Sequence, residues 1–121
     1  MTQKPLRVLI VEDSAENAEA LKRFLEAEGH EVFIATDVNS AFRLAHQVKF
    51  DVLLSDLALP DGDGWRLMQR LSLEGPIRAL AMSGNNTAAD VARSLSVGFL
   101  DHLAKPISPE RLTAALDRAA A

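Results

Sequence analysis

An α/β fold built on an open parallel sheet is predicted for this chain of 121 residues. Two observations carry the prediction. Short, nearly continuous apolar runs lie at 6–11, 32–35, 52–55, 77–82 and 99–103, and longer amphipathic stretches separate them. Runs of this length without polar alternation suit strands covered on both faces. Strict strand–helix alternation implies right-handed crossovers, with helices on either side of one sheet. Five such units are too few for an eight-stranded barrel, so an open three-layer sandwich is favoured.

Each element can be justified in turn. The first strand is Leu6-Arg7-Val8-Leu9-Ile10-Val11, and the helix after it places Ala18, Leu21, Phe24 and Leu25 at helical spacing. Gly29 is positioned to end that helix as a left-handed cap. After the second strand, a helix runs from about Asp37 to Val48 with Ala41, Leu44, Ala45 and Val48 on one face. The third strand, Val52-Leu53-Leu54-Ser55, leads into Asp56 and a loop rich in proline and glycine. Asp61 is expected to serve the turn there, and Asp63 to cap a helix that carries Leu67, Met68 and Leu71 until Gly75-Pro76 stops it. The fourth helix begins near Thr87, whose hydroxyl with Asp90 resembles a capping box, and ends at Gly98. The last opens on Ser108-Pro109-Glu110, which is an N-cap, a proline at the first helical position and an acid in the first turn. Leu112, Ala115, Leu116 and Ala119 supply its buried stripe. No linker interrupts the series, so residues 1–121 read as one domain.

Composition narrows the function classes. Hydrophobic residues make up 48% of the chain and charged residues 25%, the balance of a soluble globular protein. A net charge of −4 without a basic run argues against nucleic acid as a partner. There is no cysteine, so disulfides and thiolate nucleophiles are excluded. The apolar stretches are strand-sized, so no membrane span or membrane partner is expected. Met1-Thr2-Gln3-Lys4-Pro5 lacks the apolar core of a secretory signal, and a cytoplasmic location is the expectation.

Sites in open α/β sheets form at the carboxyl ends of the strands. At that rim the sequence places Glu12-Asp13, Asp56, Ser83-Gly84 and Lys105-Pro106, each ending a predicted strand. Neighbouring carboxylates repel by roughly a few kcal/mol per pair at an effective dielectric near 20. A hard cation offsets that repulsion, and Mg²⁺ commonly takes one or two carboxylates with waters and phosphate oxygens. Lys105 adds a positive charge and Ser83 a hydroxyl, a set suited to stabilising a phosphoryl group in transfer. Asp56, alone on the middle strand, is the carboxylate best placed to attack phosphorus and form an acyl phosphate. Glu12 and Asp13 would hold the metal with Asp56, joined by the backbone carbonyl of Ala58, while Ser83 and Lys105 would bind phosphoryl oxygens.

Over about residues 6–120 the chain resembles the receiver domain of two-component response regulators. The resemblance rests on Glu12-Asp13, on Asp56 with Pro60 and Gly64 after it, on Ser83-Gly84 and on Lys105-Pro106, whose separations fit that family. It implies a flavodoxin-like (βα)5 sheet of order 2-1-3-4-5. It also implies Mg²⁺-dependent transfer of phosphate to Asp56 from a histidine kinase or a histidine phosphotransfer domain, followed by loss of the phosphate to water. Such a domain is a signalling module, not an enzyme with a separate substrate, and is a monomer or weak dimer. In domains of this kind the residue matching Ser83 moves toward the phosphate and an aromatic residue of the fifth strand turns inward. The Lys105–Pro106 bond is expected to be cis. Kinase docking would fall on Ser14, Asn17, Ala20, Pro106 and Ile107.

The switch position departs from the family pattern, because His102 stands where Tyr or Phe is commonest. Two readings stay open for it: a switching residue, or an ordinary histidine on the surface of an edge strand. His-Leu-x-Lys-Pro after Gly98-Phe99 resembles receivers attached to hybrid sensor kinases. A free-standing regulator and a receiver from a larger kinase both fit. With no DNA-binding segment after residue 121, direct transcriptional output by this chain alone is not expected. His30 and His46 are expected to face solvent, and Trp65 to pack at a partly exposed helix start.

Other functions are weighed against this one. A phosphate-independent docking module would not need the acids and the lysine. An aspartyl-nucleophile phosphatase calls for Asp-x-Asp after the first strand, whereas Asp13 is followed by Ser14 and Ala15. A nucleotide-binding role lacks a glycine-rich loop after that strand.

Overall fold

Residues 4–121 are described by a computed structural model. Met1, Thr2 and Gln3, counted above in the single domain and in the expectation about a secretory signal, lie outside the described residues. The elements are β1 (Arg7–Val11), α1 (Ala15–Ala27), β2 (Glu31–Ala35), α2 (Val38–Gln47), β3 (Val52–Asp56), β4 (Ala58–Leu59), β5 (Gly62–Asp63), α3 (Gly64–Ser72), β6 (Ala79–Ser83), α4 (Ala88–Ser96), β7 (Asp101–Ala104) and α5 (Pro109–Ala120). The main sheet has the order β2-β1-β3-β6-β7, and each neighbouring pair is parallel. Without the small β4–β5 hairpin this is the flavodoxin-like order 2-1-3-4-5 that the sequence suggests.

Alternation along the strands divides the core in two. Val8, Ile10, Leu54, Met82 and Leu103 pack with Leu25 of α1 and with Leu112 and Leu116 of α5. On the opposite face, Leu9, Val11, Leu53 and Ala81 meet Ala41 of α2 and Leu67, Met68 and Leu71 of α3. Complete burial of one such leucine stabilises the fold by roughly 1.5–3 kcal/mol.

Several local expectations need correction. The fifth apolar run begins at Phe99, but β7 begins at Asp101. Gly98 takes a left-handed φ of 112°, and the Phe99 amide closes on the Ser94 carbonyl, so Phe99 enters the core from a loop. The reciprocal capping box lies at Asp37 and Ser40 of α2, whereas Thr87 only accepts the Asp90 amide. The β4–β5 hairpin is absent from the sequence reading because strands of two residues carry no periodicity. Asp61 serves α2 instead of its own turn. Its carboxylate accepts the Val38 amide at 2.7 Å and the Asn39 amide at 3.0 Å, where the helix dipole favours negative charge. His30 is buried, not solvent-facing, and its Nδ1 accepts the Leu6 amide at 3.0 Å. Gly29, with φ of 94°, ends α1 as expected.

Candidate functional site

The register of the sheet builds the site. Val11 of β1 lies beside Ser55 of β3, so the next residues on these parallel strands, Glu12 and Asp56, emerge side by side. Both are buried, at 1% and 5% exposure, while Asp13 is exposed. One oxygen from each of Glu12, Asp13 and Asp56 falls within 4.8 Å of the others.

Lys105 reaches this cluster from the end of β7. Its Nζ donates to Glu12 Oε1 and to Asp56 Oδ2, each at 2.7 Å. Burial alone would lower the ammonium pKa, but the hydrogen bonds and charges of Asp56 and Glu12 outweigh it and raise the pKa above the usual 10.5. Three carboxylates and one ammonium leave two formal negative charges at the rim, the charge a divalent cation balances. The remaining oxygens of the buried pair are also occupied. Glu12 Oε2 accepts the Ser14 amide at 3.0 Å, and Asp56 Oδ1 accepts the Ala58 amide at 3.1 Å. Asp13 is left as the carboxylate most open to an incoming ion. The donor set is oxygen throughout and fits a hard cation such as Mg²⁺.

The other predicted residues take varied places. Ser83 is buried, and its hydroxyl closes on Asn85, donating to the carbonyl and accepting the amide, each at 2.9 Å. It is therefore engaged with its own loop. The Lys105–Pro106 bond is cis. Asn17, Ala20, Pro106 and Ile107 line a groove of about 520 Å³, together with Glu12 and Lys105. Ser14 caps α1 by accepting the Asn17 amide and does not line that groove. His102 is buried at 7% exposure, which overturns the surface reading of it. His46 is exposed as expected, but it has partners in Glu74 and the Phe42 carbonyl.

Gly64 enters the sequence reading only as part of the family pattern, without its physical reason, and Ser94 does not enter it at all. A Cβ on Gly64 would stand 2.5 Å from the Asp56 carbonyl oxygen, so α3 can start against the site only with glycine there. The Asp-Gly-Asp-Gly spelling was the available signal, but it reads equally as a turn. Ser94 is fully buried within α4 and bonds both Trp65 and His102. A lone serine in a helix carries no signal of that kind.

The family model for the response regulator receiver domain matches residues 8–117. Among curated proteins, the protein-glutamate methylesterase/protein-glutamine glutaminase 2 of Anaeromyxobacter dehalogenans (strain 2CP-C) is 40% identical over 105 residues, covering 85% of this chain and 31% of that protein. The aerobic respiration control protein ArcA of Escherichia coli (strain K12) is 30% identical over 106 residues, covering 88% of this chain and 44% of its own length. The chain thus spans less than half of either relative. Among solved structures, chemotaxis response regulator CheY4 of Vibrio cholerae is similar with a TM-score of 0.87 at 27% identity, covering 96% of this chain and 99% of that one.

Proposed function

The chain belongs to the response regulator receiver domain family, and on that premise we propose that it accepts a phosphoryl group on Asp56 from a phosphohistidine donor. The observation that carries this reading is Lys105 bridging Glu12 and Asp56, with Asp13 exposed beside them. Docking alone would not require three acids and a lysine to share one pocket, so a phosphate-independent module is not favoured.

The donor is a histidine kinase or a histidine phosphotransfer domain. A carboxylate oxygen of Asp56 forms a bond to phosphorus while the P–N bond breaks and its electron pair returns to the donor imidazole. The carboxylate gives up its charge in that step, and Lys105 follows the negative charge onto the phosphoryl oxygens. Ser83, released from Asn85, would donate to another of them. Asp13, Asp56 and Glu12, with the Ala58 carbonyl, would hold Mg²⁺, which when bound neutralises charge on the transferred group. Water later cleaves the acyl phosphate.

The groove along Asn17, Ala20, Pro106 and Ile107, with Ser14 at the head of α1, is the surface on which the donor docks. No helix among the described residues is long and apolar enough to cross a membrane. The chain would act in the cytoplasm as a monomer or weak dimer, without nucleic acid of its own.

Incubation with acetyl phosphate and Mg²⁺, followed by intact mass, tests the assignment. One added phosphate is expected on the wild type and none on Asp56→Asn, whose fold should be unchanged. Equal labelling of both proteins would refute Asp56 as acceptor.

A further inference from the structure

Among the described residues of α4, the buried one is a polar residue, Ser94, at 0% exposure. Its Oγ lies 2.9 Å from Trp65 Nε1 and 2.8 Å from His102 Nδ1. His102 Nε2 in turn lies 2.9 Å from Asn86 Oδ1 and 3.3 Å from the Asn85 carbonyl oxygen. The proton positions follow from the partners. An indole N–H only donates, so Ser94 Oγ accepts it. A backbone carbonyl only accepts, so Nε2 of His102 carries a proton. With the ring proton on Nε2, Nδ1 accepts the hydrogen bond that the Ser94 hydroxyl donates. The hydrogen bonds therefore run in one direction, from Trp65 through Ser94 and His102 to the 85–86 loop. The Asn85 carbonyl at the end of the series also accepts the Ser83 hydroxyl. At the other end, the exposed Arg93 guanidinium stacks 4.1 Å over the Trp65 ring.

We infer that Ser94 is a positioning residue: it sets the tautomer and inward placement of His102, and so couples the Ser83 loop to α4 and to Trp65 at the start of α3. The coupling rests on the phosphoacceptor reading for its trigger. When Ser83 leaves the Asn85 carbonyl for a phosphoryl oxygen, that carbonyl is shared no longer. The His102 bond then readjusts, and the change passes through Ser94 to the indole. A phenyl ring at position 102 would pack without any such bond.

Two measurements test this, and the first needs no phosphate. In ¹⁵N-detected NMR of the resting protein, His102 should be the Nε2–H tautomer. Ser94→Ala should shift its ring nitrogens and the Trp65 indole resonance while leaving His30 and His46 in place. An Nδ1–H tautomer, or unmoved resonances, overturns the relay. The second adds Mg²⁺ and beryllofluoride and follows the emission of Trp65, the only tryptophan in the chain. The wild type should respond, and Ser94→Ala should lose most of the response while acetyl phosphate still labels it fully. The double variant Ser94→Ala/His102→Phe leaves neither the Ser94 nor the His102 side of that bond behind, and it should behave likewise. A full emission response in either variant also overturns the relay. A wild type that takes no label defeats the phosphoacceptor reading instead, and the NMR result then decides the relay by itself.

Discussion

α4 and α5 both flank the edge strand β7, and they are attached to the sheet in opposite ways. Both start well, with Thr87 accepting the Asp90 amide and Ser108 accepting the Arg111 amide ahead of Pro109. α5 then buries Leu112, Ala115, Leu116 and Ala119, whereas α4 buries Ser94 alone among the described residues. Apolar burial is non-directional and tolerates small displacements. A hydrogen bond depends steeply on distance and angle, and on which atom carries the proton. On the proposed relay, α5 is the fixed wall and α4 the part whose seat follows the loop after Ser83. Leu95 of α4 and Leu100 after it stay half exposed, so this side also offers apolar surface outward.

The contrast can be broken first on the α5 side. Leu116→Ala removes a side chain that is 1% exposed, and large-to-small changes of that kind cost about 2–5 kcal/mol. Urea denaturation would show it, and a loss no greater than that of Ser94→Ala would place α5 in the same class as α4.

Ser94→Ala should cost less, about 1–3 kcal/mol, because it leaves the His102 and Trp65 nitrogens without their shared partner. The same denaturation series should show Ser94→Ala/His102→Phe recovering part of that loss. A double variant no more stable than Ser94→Ala would instead mean that the hydroxyl mattered only as packing.

Arg93→Ala sharpens the picture at the surface. Loss of an exposed cation–π contact should cost only about 0.5–1 kcal/mol, and a greater loss would show that the indole needs its cover to hold Ser94.

The smallest effect belongs to an exposed polar clamp between α2 and the loop after α3. His46 Nδ1 faces the Phe42 carbonyl and Nε2 faces Glu74, and the hydrogen bond to that carbonyl, then the one to Glu74, raise its pKa above 6.5. A raised folded pKa favours the fold below the unfolded value and loses that contribution as pH rises through the folded one. Urea midpoints compared from pH 5 to 8 should therefore fall slightly more for wild type than for His46→Gln. Parallel profiles would show that a solvated clamp contributes nothing, in contrast to the buried one at Ser94.

Much of this molecule is legible in the chain. Alternating apolar runs and amphipathic stretches give the strands and helices, because burial on both faces leaves a periodic record. The pairing of Ser108 with Pro109, and Gly29 at the end of α1, are local chemistry that neighbouring residues cannot easily override. The acids and the lysine at strand ends point to one rim as soon as the strands are taken as parallel. Asp61 reads locally as a turn residue, yet it caps α2 from a distant loop. Sequence does not locate the buried His30 and His102, because an isolated histidine looks the same in a core as on a surface.

The sequence by itself determined the layers, the strand ends and the acids and lysine gathered at them, because each depends on periodicity or on residues close together in the chain. Tertiary structure alone decided that Lys105 spans two carboxylates, that Gly64 must lack a side chain, and that a serine in α4 meets a histidine and a tryptophan. Those contacts join groups far apart in sequence, and their strength lies in distances and proton positions that no local pattern encodes.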